Sequence, residues 1–202
     1  LLKTFLPIYF LLFFGLAMFW RSYIAWKRTG INPYKLGNSD TVHDFVGKLF
    51  RLTLIVAALI VFVFSFLEGY YHWLSPITWM NSSMLIIIGI ALLVLALIWV
   101  LVAQLQMGDS WRIGIDDRPT PLVTHGLYAS IRNPIYSAMS LMLLGLVVVT
   151  PSLVSAGLWL VTTAVAAVQA RREERHLLRL HGDRYRAYAA RTGRFLPFVG
   201  AA

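Results

Sequence analysis

The chain has 202 residues, of which 58% are hydrophobic and 13% charged. A water-soluble domain of this length cannot hide so much apolar surface, so lipid must solvate much of it. The formal net charge is +9, from 18 Lys and Arg against 9 Asp and Glu. These charges cluster beside apolar runs, so anionic headgroups and membrane orientation account for them, and no nucleic-acid partner is expected. The absence of cysteine excludes disulfides, thiolate metal sites and a cysteine nucleophile. The histidines share no metal-ligand spacing, so no metal site is expected.

The first apolar run, Phe5 to Trp26, reads as a retained span with no small-residue cleavage site, with Arg21 snorkelling near its end. A basic stretch, Lys27 to Tyr34, and a turn at Gly37 to Asp40 follow. Asp40 or Thr41 is placed to cap a helix, with Asp44 completing a loose capping box. That helix continues as a second span, about Leu49 to Leu67. Glu68 to Ser83 carries Tyr70, Tyr71, Trp73 and Trp79, the composition of a membrane interface. Its Asn81-Ser82-Ser83 triplet reads as a chance sequon.

A third span covers Met84 to Leu105. After a long polar segment come two shorter apolar runs, Ile135 to Thr150 and Leu153 to Ala170, joined at Pro151-Ser152. They read as a tight helical hairpin, spanning with borrowed flanking residues or sitting slightly short in the bilayer. The fold expected is all-α and integral to the membrane. It has about five transmembrane helices, the last two a hairpin, followed by cytosolic C-terminal helices.

Between Arg21 and Arg51 lie six Lys and Arg, and eight Arg follow Ala170. The Glu68–Ser83 loop and the hairpin turn carry no Lys or Arg. The basic loops and the tail are therefore expected in the cytoplasm. No internal repeat or linker divides residues 1–202, which read as a single membrane domain.

Two polar stretches hold the candidate chemistry. The first runs from Ser110-Trp111-Arg112 through Leu122-Val123, Gly126 and Tyr128 to Arg132-Asn133-Pro134-Ile135-Tyr136. A loop this long is usually functional. The second continues the last span as a helix, with Gln169, Arg172, Glu173 and His176 on one face. Gly182 ends that helix and Asp183 to Tyr188 begins another.

The series Leu-Val-x-x-Gly-x-Tyr, Arg-Asn-Pro-x-Tyr, a hairpin, Glu-Glu, Gly-Asp-x-Tyr-x-x-Tyr and a terminal Leu-Pro, over residues 110–198, resembles the isoprenylcysteine carboxyl methyltransferase and phospholipid methyltransferase superfamily. The resemblance implies a methyltransferase core over 84–202 behind N-terminal spans over 1–83. It also implies a cytosol-facing S-adenosylmethionine pocket in a bacterial-type inner-membrane enzyme. On that resemblance Leu122 and Val123 line the adenosine, and Tyr128, after Gly126, packs on the cofactor. Asn133, Pro134 and Tyr136 clamp it, and Glu173 binds a polar end. A carboxylate and aromatic faces suit a ligand carrying a sulfonium and an ammonium.

The chain departs from the family pattern twice. The usual Arg-His-Pro is Arg132-Asn133-Pro134, and Asn cannot titrate. Where the prenylcysteine enzymes carry a substrate-linked arginine, this chain has Gln169. That leaves Arg172 or Arg112, beside Trp111, for an acidic acceptor.

Methyl transfer is an in-line displacement that needs positioning and exclusion of water more than a strong base. The acceptor expected is a lipophilic or small thiol, carboxylate or amine, entering from the bilayer. No catalytic base is assigned, and the oligomeric state is left open.

Plainer roles compete. Glu173 and Glu174 also fit arginine pairs on a solvated helix face, and Tyr128 and Tyr136 fit interface anchors. Trp111 and Arg112 fit a belt tryptophan and a snorkelling arginine. Two other functions remain: a steroid-reductase-like membrane reductase using NADPH, and a non-enzymatic assembly or sensor protein.

Overall fold

The computed structural model describes residues 1–30, 42–108 and 121–200. Among the described residues every regular element is helical: α1 (Leu2–Phe13), a π-helical segment (Phe14–Trp20), α2 (Arg21–Thr29), α3 (Val42–Phe66), α4 (Ser83–Met107), α5 (Pro134–Val149), α6 (Leu153–His181) and α7 (Asp183–Ala189). The expected cap at Asp40 or Thr41 lies outside the described residues.

Four stretches are long and apolar enough to cross a membrane: Leu2–Arg28, Gly47–Phe66, Ser83–Met107 and Leu153–His181. Their outward faces carry large apolar side chains such as Ile87, Ile98 and Leu160, as a lipid-solvated bundle requires. The fifth apolar helix, α5, is shorter. Its 16 residues rise about 24 Å, against a hydrocarbon core of about 30 Å.

Protein covers both ends of α5, which makes its shortness tolerable. Non-helical backbone survives at membrane depth only where protein or trapped water satisfies it. At the hairpin turn, Ile77 N and Tyr71 Oη donate to Pro151 O, and Leu153 N donates to Ser75 O. Buried Ser152 and Ser155 form a reciprocal capping box that starts α6. At the other end the C-terminal tail folds over the residues preceding Pro134.

α4 and α5 pack closely because small residues let their backbones approach. A Cβ on Gly89 would lie 2.5 Å from Val149 Cγ1, and one on Gly145 would lie 3.0 Å from Leu93 Cγ. Tyr9 of α1 donates to Leu93 O at 2.8 Å within the same core.

The expectation that Arg21 snorkels is overturned. Arg21 is 5% exposed, and its Nη2 donates to Gln104 O at 2.7 Å and Gly108 O at 3.3 Å. It thus serves the C-terminal carbonyls of α4, where a cation also matches the helix dipole. Gln104 Nε2 returns a bond to Ala17 O in the π-helical segment, at 2.8 Å. The seam between the first span and α4 is polar at this end because both helices carry carbonyls that lipid cannot satisfy.

Candidate active site

One end of the bundle gathers the start of α3, the end of α4, the start of α5 and the polar half of α6. Trp111 and Arg112 lie outside the described residues. The chain is described again from Pro121, and Gly126–Ala129 forms a single 3-10 turn. Gly126 has φ +61, and a Cβ there would lie 2.2 Å from Gln106 Nε2. Leu127 N donates to Gln106 Oε1 at 2.8 Å. The last turn of α4 therefore fixes this loop, and Gly126 is needed both for its backbone angle and for the space.

The turn directs Tyr128 inward, where it is 7% exposed. Tyr188 Oη donates to Tyr128 O at 2.7 Å. The Tyr128 hydroxyl is buried without a hydrogen-bond partner among the described residues. Burial, reinforced by the nearby Tyr188 and Glu173, raises its pKa and keeps it neutral. Leu122 is half-buried and packs on Tyr185, Tyr188 and Ala189; Val123 is half-buried beside it.

Arg132 and Asn133 form a latch. Arg132 Nε meets Glu174 Oε1 at 3.1 Å, Nη1 donates to Ala189 O and Thr192 O at 2.7 and 2.6 Å, and Nη2 donates to Gly200 O at 2.8 Å. Asn133 Nδ2 donates to Glu174 Oε1 at 2.9 Å and Arg194 O at 3.3 Å. Arg194 closes the set on Glu174 at 3.0 Å, and that bond raises the Arg194 pKa. Backbone bonds from Arg132 N to Gly193 O and from Asn133 N to Arg194 O continue the tie. The Asn133 side chain is thus spent on holding the tail, and Pro134, fully buried, starts α5.

Glu173 stands apart from that latch. Tyr136 Oη donates to its Oε1 at 2.7 Å and Gln169 Nε2 donates to the same oxygen at 3.1 Å. No arginine or lysine pairs with Glu173 among the described residues. Gln169 is 4% exposed, and its Oε1 is buried with no partner among them. Arg172, half-buried, forms no hydrogen bond or ion pair among the described residues. Phe50 of α3 stacks on Tyr136 with ring centroids 5.9 Å apart and planes at 18°, closing one side.

The fold therefore brings Tyr128, Tyr136, Gln169 and Glu173 to one end, while Asn133 and Leu122 face the tail. Sequence reasoning missed Phe50, Gln106, Tyr188 and Arg194. Gln106 gave a signal, as a polar residue ending a very apolar run. Phe50 gave none, being one apolar residue among many.

The site combines one carboxyl group held by neutral donors with two buried groups, a carbonyl and a phenol, that have no partner among the described residues, an arrangement that suits a cationic, hydrogen-bonding ligand.

The phospholipid methyltransferase family matches residues 82–184, which is 103 of the 202 residues. No curated protein matches the chain. The matched stretch runs from the cap of α4 through Gln106, Tyr128, Tyr136, Gln169 and Glu173 to the first turn of α7. It covers just over half of the molecule and every helix that builds the site except α3. This membrane-borne chain belongs to the phospholipid methyltransferase family.

Proposed function

We propose that the protein is an integral-membrane methyltransferase that takes its methyl group from S-adenosylmethionine and gives it to a lipophilic or small thiol, carboxylate or amine acceptor. The observation that carries this reading is Glu173, a carboxylate held by Tyr136 and Gln169 with no basic partner among the described residues. Glu173 is half-buried, and a charge drawn away from water without a counter-ion is costly; a cationic ligand removes that cost. The unpartnered Tyr128 hydroxyl and Gln169 carbonyl fit the hydroxyls and ammonium of the same cofactor.

S-adenosylmethionine, when bound, supplies an activated methyl carbon. The chain's own part is placement. Glu173 holds the positive end, and Tyr136 and Gln169 orient the carboxylate. The stacked Phe50 and Tyr136 rings exclude water from one side. Val123, half-buried beside Leu122, offers an apolar wall, while Leu122 packs on the tail. Gln169 is neutral and already committed to Glu173, so an acidic acceptor falls to Arg172 or Arg112. Apart from Lys3, which pairs with Glu68, the described basic residues lie toward the site's end of the bundle, which supports an opening toward the cytoplasm of a bacterial inner membrane.

Calorimetric titration of detergent-purified protein with S-adenosylmethionine tests the reading. Saturable binding, lost in Glu173→Gln and weakened in Tyr128→Phe, is expected. Absence of binding by folded protein, with or without candidate acceptors, would overturn it. NADPH is the informative competitor. It is polyanionic, so binding of NADPH in place of S-adenosylmethionine would contradict the sign of the site and point to a reductase.

A further inference from the structure

The C-terminal loop presents three large apolar side chains outward: Leu196 is 58% exposed, Phe198 79% and Val199 61%. This exposure does not come from a loose end. Arg194 N donates to Val199 O at 2.9 Å and Val199 N to Leu196 O at 3.2 Å. Ser137 Oγ donates to Phe195 O at 2.6 Å, and Arg132 Nη2 holds Gly200 O. Gly193 lies so close beneath the loop that a Cβ would sit 1.8 Å from Leu196 O. Phe198 has φ +63, a conformation costly for a bulky side chain. The loop is therefore fixed with its apolar residues turned away from the protein.

Its position gives the depth. Ser137 lies in the first turn of α5, the apolar helix spanning Pro134–Val149, so the loop sits where that helix leaves the hydrocarbon. Charge gives the partner. Arg171, Arg175 and Arg179 recur every four residues on α6, are exposed, and have no carboxylate partner among the described residues. At about 100° per residue, Arg171 and Arg175 lie roughly opposite Glu173, with Arg171 about 60° around α6 from Glu174, to which the tail is tied. A basic stripe beside a fixed apolar loop is the composition of an interfacial anchor. A second copy of the chain would bring the same uncompensated arginines against these; anionic headgroups neutralise them.

We infer that residues 195–199 form a lipid-inserted anchor, with Leu196, Phe198 and Val199 among acyl chains and the α6 arginines on anionic headgroups. This does not depend on the proposed methyl transfer, and its test needs no methyl donor. The chain has no cysteine, so single cysteines can be spin-labelled without background. Labels are placed at Phe198→Cys and, independently, Leu196→Cys in proteoliposomes of phosphatidylethanolamine and phosphatidylglycerol. Leu160→Cys, on the outer face of α6, is the lipid reference and Arg191→Cys the aqueous one. The expected result is collision with oxygen in preference to a water-soluble relaxant at 196 and 198, matching 160 and opposite to 191. Free collision with the water-soluble reagent at both loop positions overturns the inference. So does immobilisation with access to neither reagent, which would mean that protein covers the loop.

Discussion

Glu173 and Glu174 are adjacent in sequence and about 100° apart around α6, and they have partners of opposite kinds. Glu174 binds Arg132, Arg194 and the Asn133 amide, whereas Glu173 binds a phenol and an amide. One carboxylate is neutralised by the protein's arginines; the other has only neutral donors among the described residues. Glu174→Ala is therefore expected to lower stability by about 3–5 kcal/mol, because it strands Arg132, whose side chain is 2% exposed. Glu173→Gln should leave the melting temperature near wild type while abolishing S-adenosylmethionine binding. Thermal unfolding in detergent and calorimetry on the same two preparations separate these roles. A large stability loss in Glu173→Gln would count against the assignment.

The close approach at Gly126 makes a second prediction. Gly126→Ala places a side chain at φ +61 and against Gln106. The backbone conformation alone should cost about 1–2 kcal/mol. Because the clash is with the end of a flexible side chain, adding Gln106→Ala should recover packing but not the hydrogen bond to Leu127 N. Denaturation of the two single variants and the double variant is expected to show non-additivity; strict additivity would mean that the two residues do not meet.

Arg21 should behave as part of the helix seam. Arg21→Met is expected to destabilise by roughly 2–3 kcal/mol, the scale of hydrogen bonds made by a charged donor to buried carbonyls. Gln104→Leu, which removes the bond to Ala17 O, should also destabilise, and the pair should be less than additive. If Arg21→Met melts like wild type, the arginine lies in the headgroups after all.

Alkaline pH should unfasten the tail. Burial pushes the Tyr188 pKa from 10.0 up to about 12, and Tyr128 and Tyr185 are raised further, chiefly by burial. These groups lose their protons at lower pH when unfolded than when folded. Their contribution is intact below pH 10 and falls by about 1.4 kcal/mol per pH unit for each phenol above it. Phenolate absorbance of the buried tyrosines should show a late, cooperative rise coinciding with loss of structure. A single non-cooperative titration curve would contradict the burial of these rings.

Hydropathy located the apolar helices, and helical spacing with the Gly182 break located the polar ones. The expected Met84–Leu105 span is α4, and the tail helix running on from the last apolar stretch to Gly182 is α6, broken where a positive φ is needed. The hairpin also lies where Pro151-Ser152 put it. Composition could not reveal partners. Hydropathy places Arg21 near a span end but not its direction, which depends on carbonyls at the end of α4. Arg132 could not be recognised as a latch because its acceptors at 189, 192 and 200 are backbone oxygens, which leave no mark in side-chain pattern. The Glu-Glu pair was legible as a motif, but which glutamate faces the arginines depends on helical phase relative to α5. The polar segment holding Trp111 and Arg112 and the cap at Asp40 or Thr41 lie outside the described residues.

The hairpin turn bears on how the molecule assembles. Pro151 O and Leu153 N find their partners in Ile77, Tyr71 and Ser75, all contributed before α4 begins and outside the family-matched stretch. A fragment starting at residue 82 would leave those polar backbone groups without their protein partners. The matched half is thus not a transplantable module. During biogenesis the last hairpin can settle only once the earlier loop is in place to receive it, so truncation of the first two spans should yield a protein that inserts but does not mature.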